Sequence, residues 1–180
     1  MVMPEIQKRR SIRKFTDRPV EPEKRDIIIE AALRSPSSMG RDPWEFIVVD
    51  DRELLEKLSK AKPHGSAFLK GAAMGIVVCA DITKSDVWIE DTSIASTHIY
   101  LAAESLGLGA CWIQMRERNY SEDITSGQYI SNLLNMPENL EVLSIIATGY
   151  PAEEKSPHKK ESLKYDRIHK NMYGKCSKKT

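Results

Sequence analysis

The chain has 180 residues, 41% of them hydrophobic and 29% charged, with 9 glycines and 9 prolines. That length supports a compact unit burying roughly 70% of the surface its unfolded form exposes, and the composition excludes disordered and collagen-like chains. Lys and Arg total 27 against 26 Asp and Glu, a net charge of +1, so no global field draws the molecule onto nucleic acid or membrane and any anion site has to be local.

The first predicted helix spans Glu21 to Ser35: Pro22 suits its first turn, Glu21 and Glu23 complement the positive end of the dipole, and Ile28, Ala31, Ala32 and Ser35 share a face. Pro36 ends it. The run Trp44 to Val49 (WEFIVV) is short, aromatic and β-branched, and reads as a buried strand. Asp51 caps a helix from about Arg52 to Lys60 with Leu54, Leu55 and Leu58 inward. Gly75 to Ala80 (GIVVCA) is a second strand, closed by a turn at Asp81.

The longest helix runs from Trp88 to Leu106, with Ile94, Ala95, Ile99, Leu101, Ala102 and Leu106 on more than one side, which predicts a central position; Gly107 stops it. Leu108 to Ile113 forms a third strand, Ser126 to Asn135 a helix ended by Pro137, and Val142 to Thr148 a fourth strand ended by Gly149, Tyr150 and Pro151. This alternation predicts a sheet held between helical layers. The basic N-terminal segment and the arm after the last strand both need a surface to lie on.

The longest charge-free apolar run, Gly71 to Ala80, is too short for the ~20 residues of a membrane span, and no apolar stretch follows the basic start as a secretory signal requires. Three cysteines make no disulfide framework. Cys79 and Cys111 read as small buried hydrophobes, fitting a reducing cytoplasm, while Cys176 in the polar tail is a candidate reactive thiol.

Four clusters carry chemistry. Lys8 to Lys14 (KRRSIRK) places three guanidiniums and a hydroxyl together; guanidinium forks bind phosphate oxygens in pairs, although such a run also fits a solvated face or a nucleic-acid contact. Ile12 and Phe15, interleaved with the charges, favour a packed segment. The second cluster, Ser35 to Trp44 (SPSSMGRDPW), is a loop at a strand end, where scaffolds hold ligands, or a plain connector. The third, Gly107 to Gln114 (GLGACWIQ), is no dinucleotide fingerprint, because its G-x-G precedes a strand. The fourth, Gly149 to Lys160, is a turn leading into a basic arm.

In order and spacing, RRSIRKF, the PSS…PW loop, LGLGACWI and GYPAEE resemble the FMN-dependent nitroreductase family over about Glu5 to Tyr173. The resemblance implies an α+β fold, a nitroreductase-like central mixed sheet flanked by helices, in a single domain (1–180) whose arm, about 150–173, wraps a partner in a homodimer. It implies that Arg9 and Ser11 hold the FMN phosphate, that Arg10 lines the same segment, and that Arg13 reaches the N1 and O2 edge of the ring, where a fixed cation favours the reduced, negatively charged flavin. Pro36, Ser37, Ser38 and Gly40 fall in a loop that approaches the flavin from the second subunit. Gln114 falls where a backbone amide meets flavin N5, and Lys160, with Lys159, where the family has an arginine on the phosphate.

The implied activity is that of an FMN oxidoreductase taking hydride from NADH or NADPH and reducing nitroaromatics, quinones or similar small conjugated acceptors by a ping-pong sequence. Gly40 and Asp42 depart from the asparagine and glutamine of many members, which keeps open an FMN carrier or regulator without efficient turnover. A nucleic-acid reading of the basic segment would show as a steep salt dependence, and the charge balance weighs against it. The four histidines lack metal-ligand spacing, so no metal site is expected; His98 reads as a satisfied core histidine, and Glu90, Asp91 and Glu104 as capping or solvating groups.

Overall fold

A computed structural model describes residues 2–175 of the chain, and Cys176 lies outside them. Five α-helices are described: α1 (Met3–Lys8), α2 (Pro22–Leu33), α3 (Arg52–Ser59), α4 (Trp88–Ser105) and α5 (Ser126–Leu134). The strands are β1 (Trp44–Val49), β2 (Met74–Asp81), β3 (Gly109–Gln114) and β4 (Leu140–Gly149), arranged β1-β2-β4-β3.

All three strand pairings are antiparallel, and the parallel component expected of a mixed sheet is confined to an isolated bridge between Ser11 and Ala110. β2 and β4 occupy the middle of the sheet, and every residue of β2 is buried. β1, predicted as a buried strand, is an edge strand with Val49 alone fully buried. Its aromatic and β-branched residues signal membership of a sheet; they do not say whether the strand is central.

Because side chains alternate along a strand, the sheet presents two apolar faces. Met74, Ile76, Val78 and Ile146 pack with Ile28 and Ala32 of α2 and Ile99 and Ala103 of α4. Val77, Cys79, Ile113, Ile145 and Ala147 pack with Leu55 and Leu58 of α3 and Ile130 of α5. Each fully buried Ile or Leu contributes ~1.5–3 kcal/mol, so these layers provide most of the driving force. α4 lies against both the sheet and α2, as its apolar positions suggest, although Ile94 among them is 39% exposed.

Local signals set the boundaries. The Asp51 carboxylate accepts from Leu54 N at 2.8 Å, and Thr125 and Gln128 form a capping box at the start of α5. α5 stops at Asn135, whose φ of 52° is left-handed, two residues before Pro137. α1 went unrecognised in sequence as a helix because its six residues bury none of their number and so carry no apolar period. Among the described residues no helix is long and apolar enough to cross a membrane.

The arm begins by doubling back on the N-terminal segment. Phe15 and Pro151 form an antiparallel bridge, Thr16 N donates to Tyr150 O at 2.9 Å, and Ala152 N donates to Lys14 O at 2.8 Å. Beyond it the arm has two short 3₁₀ turns, Lys160–Ser162 and Tyr165–Arg167, and leaves Leu163 and Ile168 exposed.

Candidate functional site

The basic segment is held extended between the outer edge of β3 and the arm. On the β3 side Ile12 N donates to Ala110 O at 3.0 Å, and the Ile12 side chain is 7% exposed. On the arm side the Glu153 carboxylate accepts the backbone N–H groups of Arg13 at 2.6 Å and Lys14 at 3.2 Å, which lowers its pKa below the usual carboxylate value. Lys155 Nζ donates to Ser11 O at 2.7 Å and pairs with Glu153 at 3.1 Å, and Arg10 Nη1 donates to Ser156 O. With the backbone fixed on both sides, the side chains of Arg9, Arg10, Ser11 and Arg13 are aimed rather than free.

These four line a cavity of about 280 Å³ together with Lys155 and His158. Its lining is three guanidiniums, an ammonium, an imidazole and a hydroxyl, without a carboxylate. Among the described residues, none of the three guanidiniums forms an ion pair; Arg9 lies 5.4 Å from the centre of the Tyr100 ring and Arg13 lies 5.8 Å from that of Phe68. Three guanidiniums without ion pairs, with directed N–H groups and an ammonium beside them, are the chemistry that a phosphate monoester requires, so the donor set fits FMN.

The sheet edge continues the site. Trp112 N donates to the Tyr100 hydroxyl instead of to β4. In an antiparallel ladder inward and outward N–H groups alternate, so the N–H of Gln114, two residues on, also faces the outer edge of β3. The Gln114 side chain is engaged within the strand, accepting from Trp112 Nε1 at 2.9 Å and donating to Arg116 O at 3.0 Å.

Lys62, which sequence reasoning passed over, donates from Nζ to Gln114 O at 3.0 Å. Partial burial and the neighbouring Arg118 lower its pKa. Burial pushes the Cys111 thiol up, against the field of Arg13, and takes Cys79 to about 12; both thiols behave as buried hydrophobes.

Lys160 borders an adjoining cavity of about 580 Å³, shared with Arg9, His158 and Leu163. Lys159 lines neither cavity, and its carbonyl accepts from Ser162 Oγ at 2.7 Å. Lys155 and His158 went unnoticed as lining residues because the arm has no periodic structure from which side-chain direction could be read.

Within the chain the Pro36–Gly40 loop does not join the basic cavity. Ser37 Oγ donates to Asp42 Oδ1 at 2.5 Å and accepts from Asp42 N at 2.9 Å. Ser38 N donates at 2.9 Å to Asp91, a carboxylate that is 3% exposed and also accepts from Ser85 Oγ at 3.0 Å. Asp91, read in sequence as capping or solvating, therefore ties this loop to α4. His98 Nδ1 lies 2.9 Å from Ser35 Oγ and 3.2 Å from Ala31 O, and the residue is half-buried rather than the core histidine its sequence context suggests.

Sheet and cavity together define an α+β protein with a site suited to a phosphorylated ligand. The sequence profile of the Nitroreductase family matches residues 6–62 and 61–150, and the chain belongs to that family. It is 48% identical to an FMN-dependent nitroreductase from Clostridium difficile R20291, with a TM-score of 0.94 over 95% of this chain and 99% of that one. A Methanothermobacter thermautotrophicus protein whose name pairs NADH dehydrogenase with NAD(P)H nitroreductase is 43% identical over 171 residues, 93% of this chain and 85% of the relative. The NADPH:FMN oxidoreductase of Vibrio harveyi, solved with NAD+, is 28% identical with a TM-score of 0.78, over 96% of this chain and 77% of that one.

Proposed function

We propose that the chain is an NAD(P)H-dependent FMN oxidoreductase that acts as a homodimer on small conjugated acceptors such as nitroaromatics or quinones. The observation that carries this reading is the carboxylate-free cavity of Arg9, Arg10, Ser11, Arg13, Lys155 and His158 on the edge of the sheet. Family membership supports the cofactor pair, FMN with NADH or NADPH. Bound FMN supplies the two-electron relay between nicotinamide donor and acceptor.

The chain contributes position and field. Arg9, Arg10 and Ser11 grip the phosphate, and Arg13 sets a permanent positive charge beside the pyrimidine edge of the ring. Gln114 offers its outward N–H, held by the Lys62 contact to the same residue. Donor and acceptor use one place in turn, giving ping-pong kinetics. No side chain acts as a nucleophile.

The homodimer is supported by apolar side chains left exposed on α1, α4 and the arm: Met3, Ile6, Ile94, Leu163 and Ile168. In it the Pro36–Gly40 loop reaches the partner's cofactor, and the arm from about 150 lies against the partner. The two free, buried thiols support a reducing compartment, the cytoplasm. Asp42, which with Gly40 keeps the carrier alternative open, has its carboxylate engaged by Ser37, which does not favour that alternative.

The test is anaerobic mixing of FMN-loaded protein with NADPH or NADH, followed by a nitroaromatic or a quinone. Bleaching of the flavin on the seconds scale and its return with acceptor are expected. Protein that retains FMN but stays unbleached with both donors would be a carrier.

A further inference from the structure

We propose that His158 makes retention of the FMN phosphate proton-dependent, its imidazole taking up a proton when the phosphate enters the basic cavity. The inference rests on the FMN reading above. His158 lines both the basic cavity and the adjoining one, so it stands at the junction of the arm with the basic segment.

The groups facing it are Arg9, Arg10, Ser11 and Arg13 from the basic segment, Lys155, Lys160 and Tyr165 from the arm, and Gln7 from α1. The charged members of that set are all cations. The nearby carboxylate of Glu153 is taken up by Arg13 N, Lys14 N and Lys155. A phosphate approaching two negative charges favours the protonated, cationic form of an imidazole beside it.

Guanidinium and ammonium groups keep their charge throughout the physiological range, whereas histidine, with an ordinary pKa of ~6.5, does not. His158 is therefore the lining group whose share of the grip weakens as pH rises. The phosphate's own second ionisation, near ~6, acts in the opposite sense by adding charge. The histidine contribution is thus the difference between wild type and His158→Gln.

Full-length protein freed of flavin is titrated calorimetrically with FMN between pH ~5.5 and ~8.5, in paired buffers of different ionisation enthalpy that report the protons exchanged. Wild type, His158→Gln, His158→Arg and Lys160→Gln are compared, with folding checked by circular dichroism. Near neutrality wild type takes up more protons per FMN than His158→Gln. Its affinity advantage over His158→Gln shrinks with rising pH, by at most ~10-fold per unit. His158→Arg binds tightly without the extra proton, and Lys160→Gln keeps the wild-type proton count. Equal proton counts and parallel affinity profiles in wild type and His158→Gln overturn the proposal and leave the FMN reading intact. Failure of wild type to bind FMN at any pH defeats both.

Discussion

A methyl group at Gly109 would lie 2.8 Å from Cβ of Ile12, closer than side-chain carbons approach. Gly109 pairs across the sheet with Gly149, where a Cβ would come 3.0 Å from Ala73 N and 3.2 Å from Phe15 Cδ1. Two facing glycines therefore form the floor on which Ile12 and Phe15 rest, and the aim of Arg13 between them, and of Arg9 and Arg10 just before, depends on that floor. Gly109→Ala is expected to cost ~1–3 kcal/mol through overpacking and to weaken FMN binding by lifting the basic segment. Urea unfolding and FMN titration read the two effects; Gly109→Ala combined with Ile12→Ala recovers part of the FMN affinity. An affinity loss that persists undiminished in the double variant would mean that Ile12 does not transmit it.

Removing one guanidinium from the cavity should cost FMN affinity in proportion to the charge-assisted bonds lost. Arg9→Ala and Arg10→Ala are each expected to weaken FMN by ~10–100-fold, equivalent to ~1.5–3 kcal/mol. Arg13→Ala has a second readout: with the fixed cation gone, the midpoint potential of bound flavin should fall. If the potential is unchanged while affinity drops, Arg13 binds the cofactor without tuning it.

The strands and the longer helices were legible because their apolar residues recur with a definite period, and Asp51 and Gly107 carry boundary chemistry of their own. The edge position of β1 was not, since WEFIVV records what packs against the strand and nothing about how many neighbours pair with it. The Lys8–Lys14 run was visible as a basic cluster. What it faces was not, because Lys155 and His158 arrive on an arm without regular structure. Lys62 illustrates the same limit, for its hydrogen-bond partner Gln114 lies 52 residues away and only the folded sheet brings them together.

Tyr150, the residue at which β4 turns into the arm, donates its hydroxyl to Glu21 Oε2 at 2.7 Å and accepts from Lys24 Nζ at 2.8 Å. The Tyr150 hydrogen bond, then the Glu21 backbone N–H and Arg18, hold the Glu21 carboxyl at about 2. A depressed folded-state pKa contributes stability that is present above the unfolded value of 4.5 and lost as pH falls towards about 2. Tyr150→Phe should move the Glu21 titration up towards 4.5 in an NMR pH series and flatten the acid limb of the Tm profile. An unmoved Glu21 titration in Tyr150→Phe would show that the Glu21 backbone N–H and Arg18, at 2.5 Å, suffice together.

Asp91 holds a loop that would not hold itself. Met39, Gly40 and Asp42 have φ of 55°, 64° and 45°, and Met39 is a residue type that the left-handed region disfavours, so specific contacts must hold the conformation. Ser38 N on one carboxylate oxygen of Asp91 and Ser85 Oγ on the other are such contacts, and they join the loop to the first turn of α4. Asp91→Ala strands a backbone N–H and a buried hydroxyl, at an expected cost of ~1–3 kcal/mol. Asp91→Asn should cost less, because its remaining carbonyl can keep Ser38 N while the Ser85 hydroxyl turns to accept from the new amide. Amide hydrogen exchange at Ser38 reads the anchor directly: its protection should fall in Asp91→Ala and be largely kept in Asp91→Asn. If Asp91→Ala retains wild-type protection there, the Ser37–Asp42 pair holds the loop without help from α4.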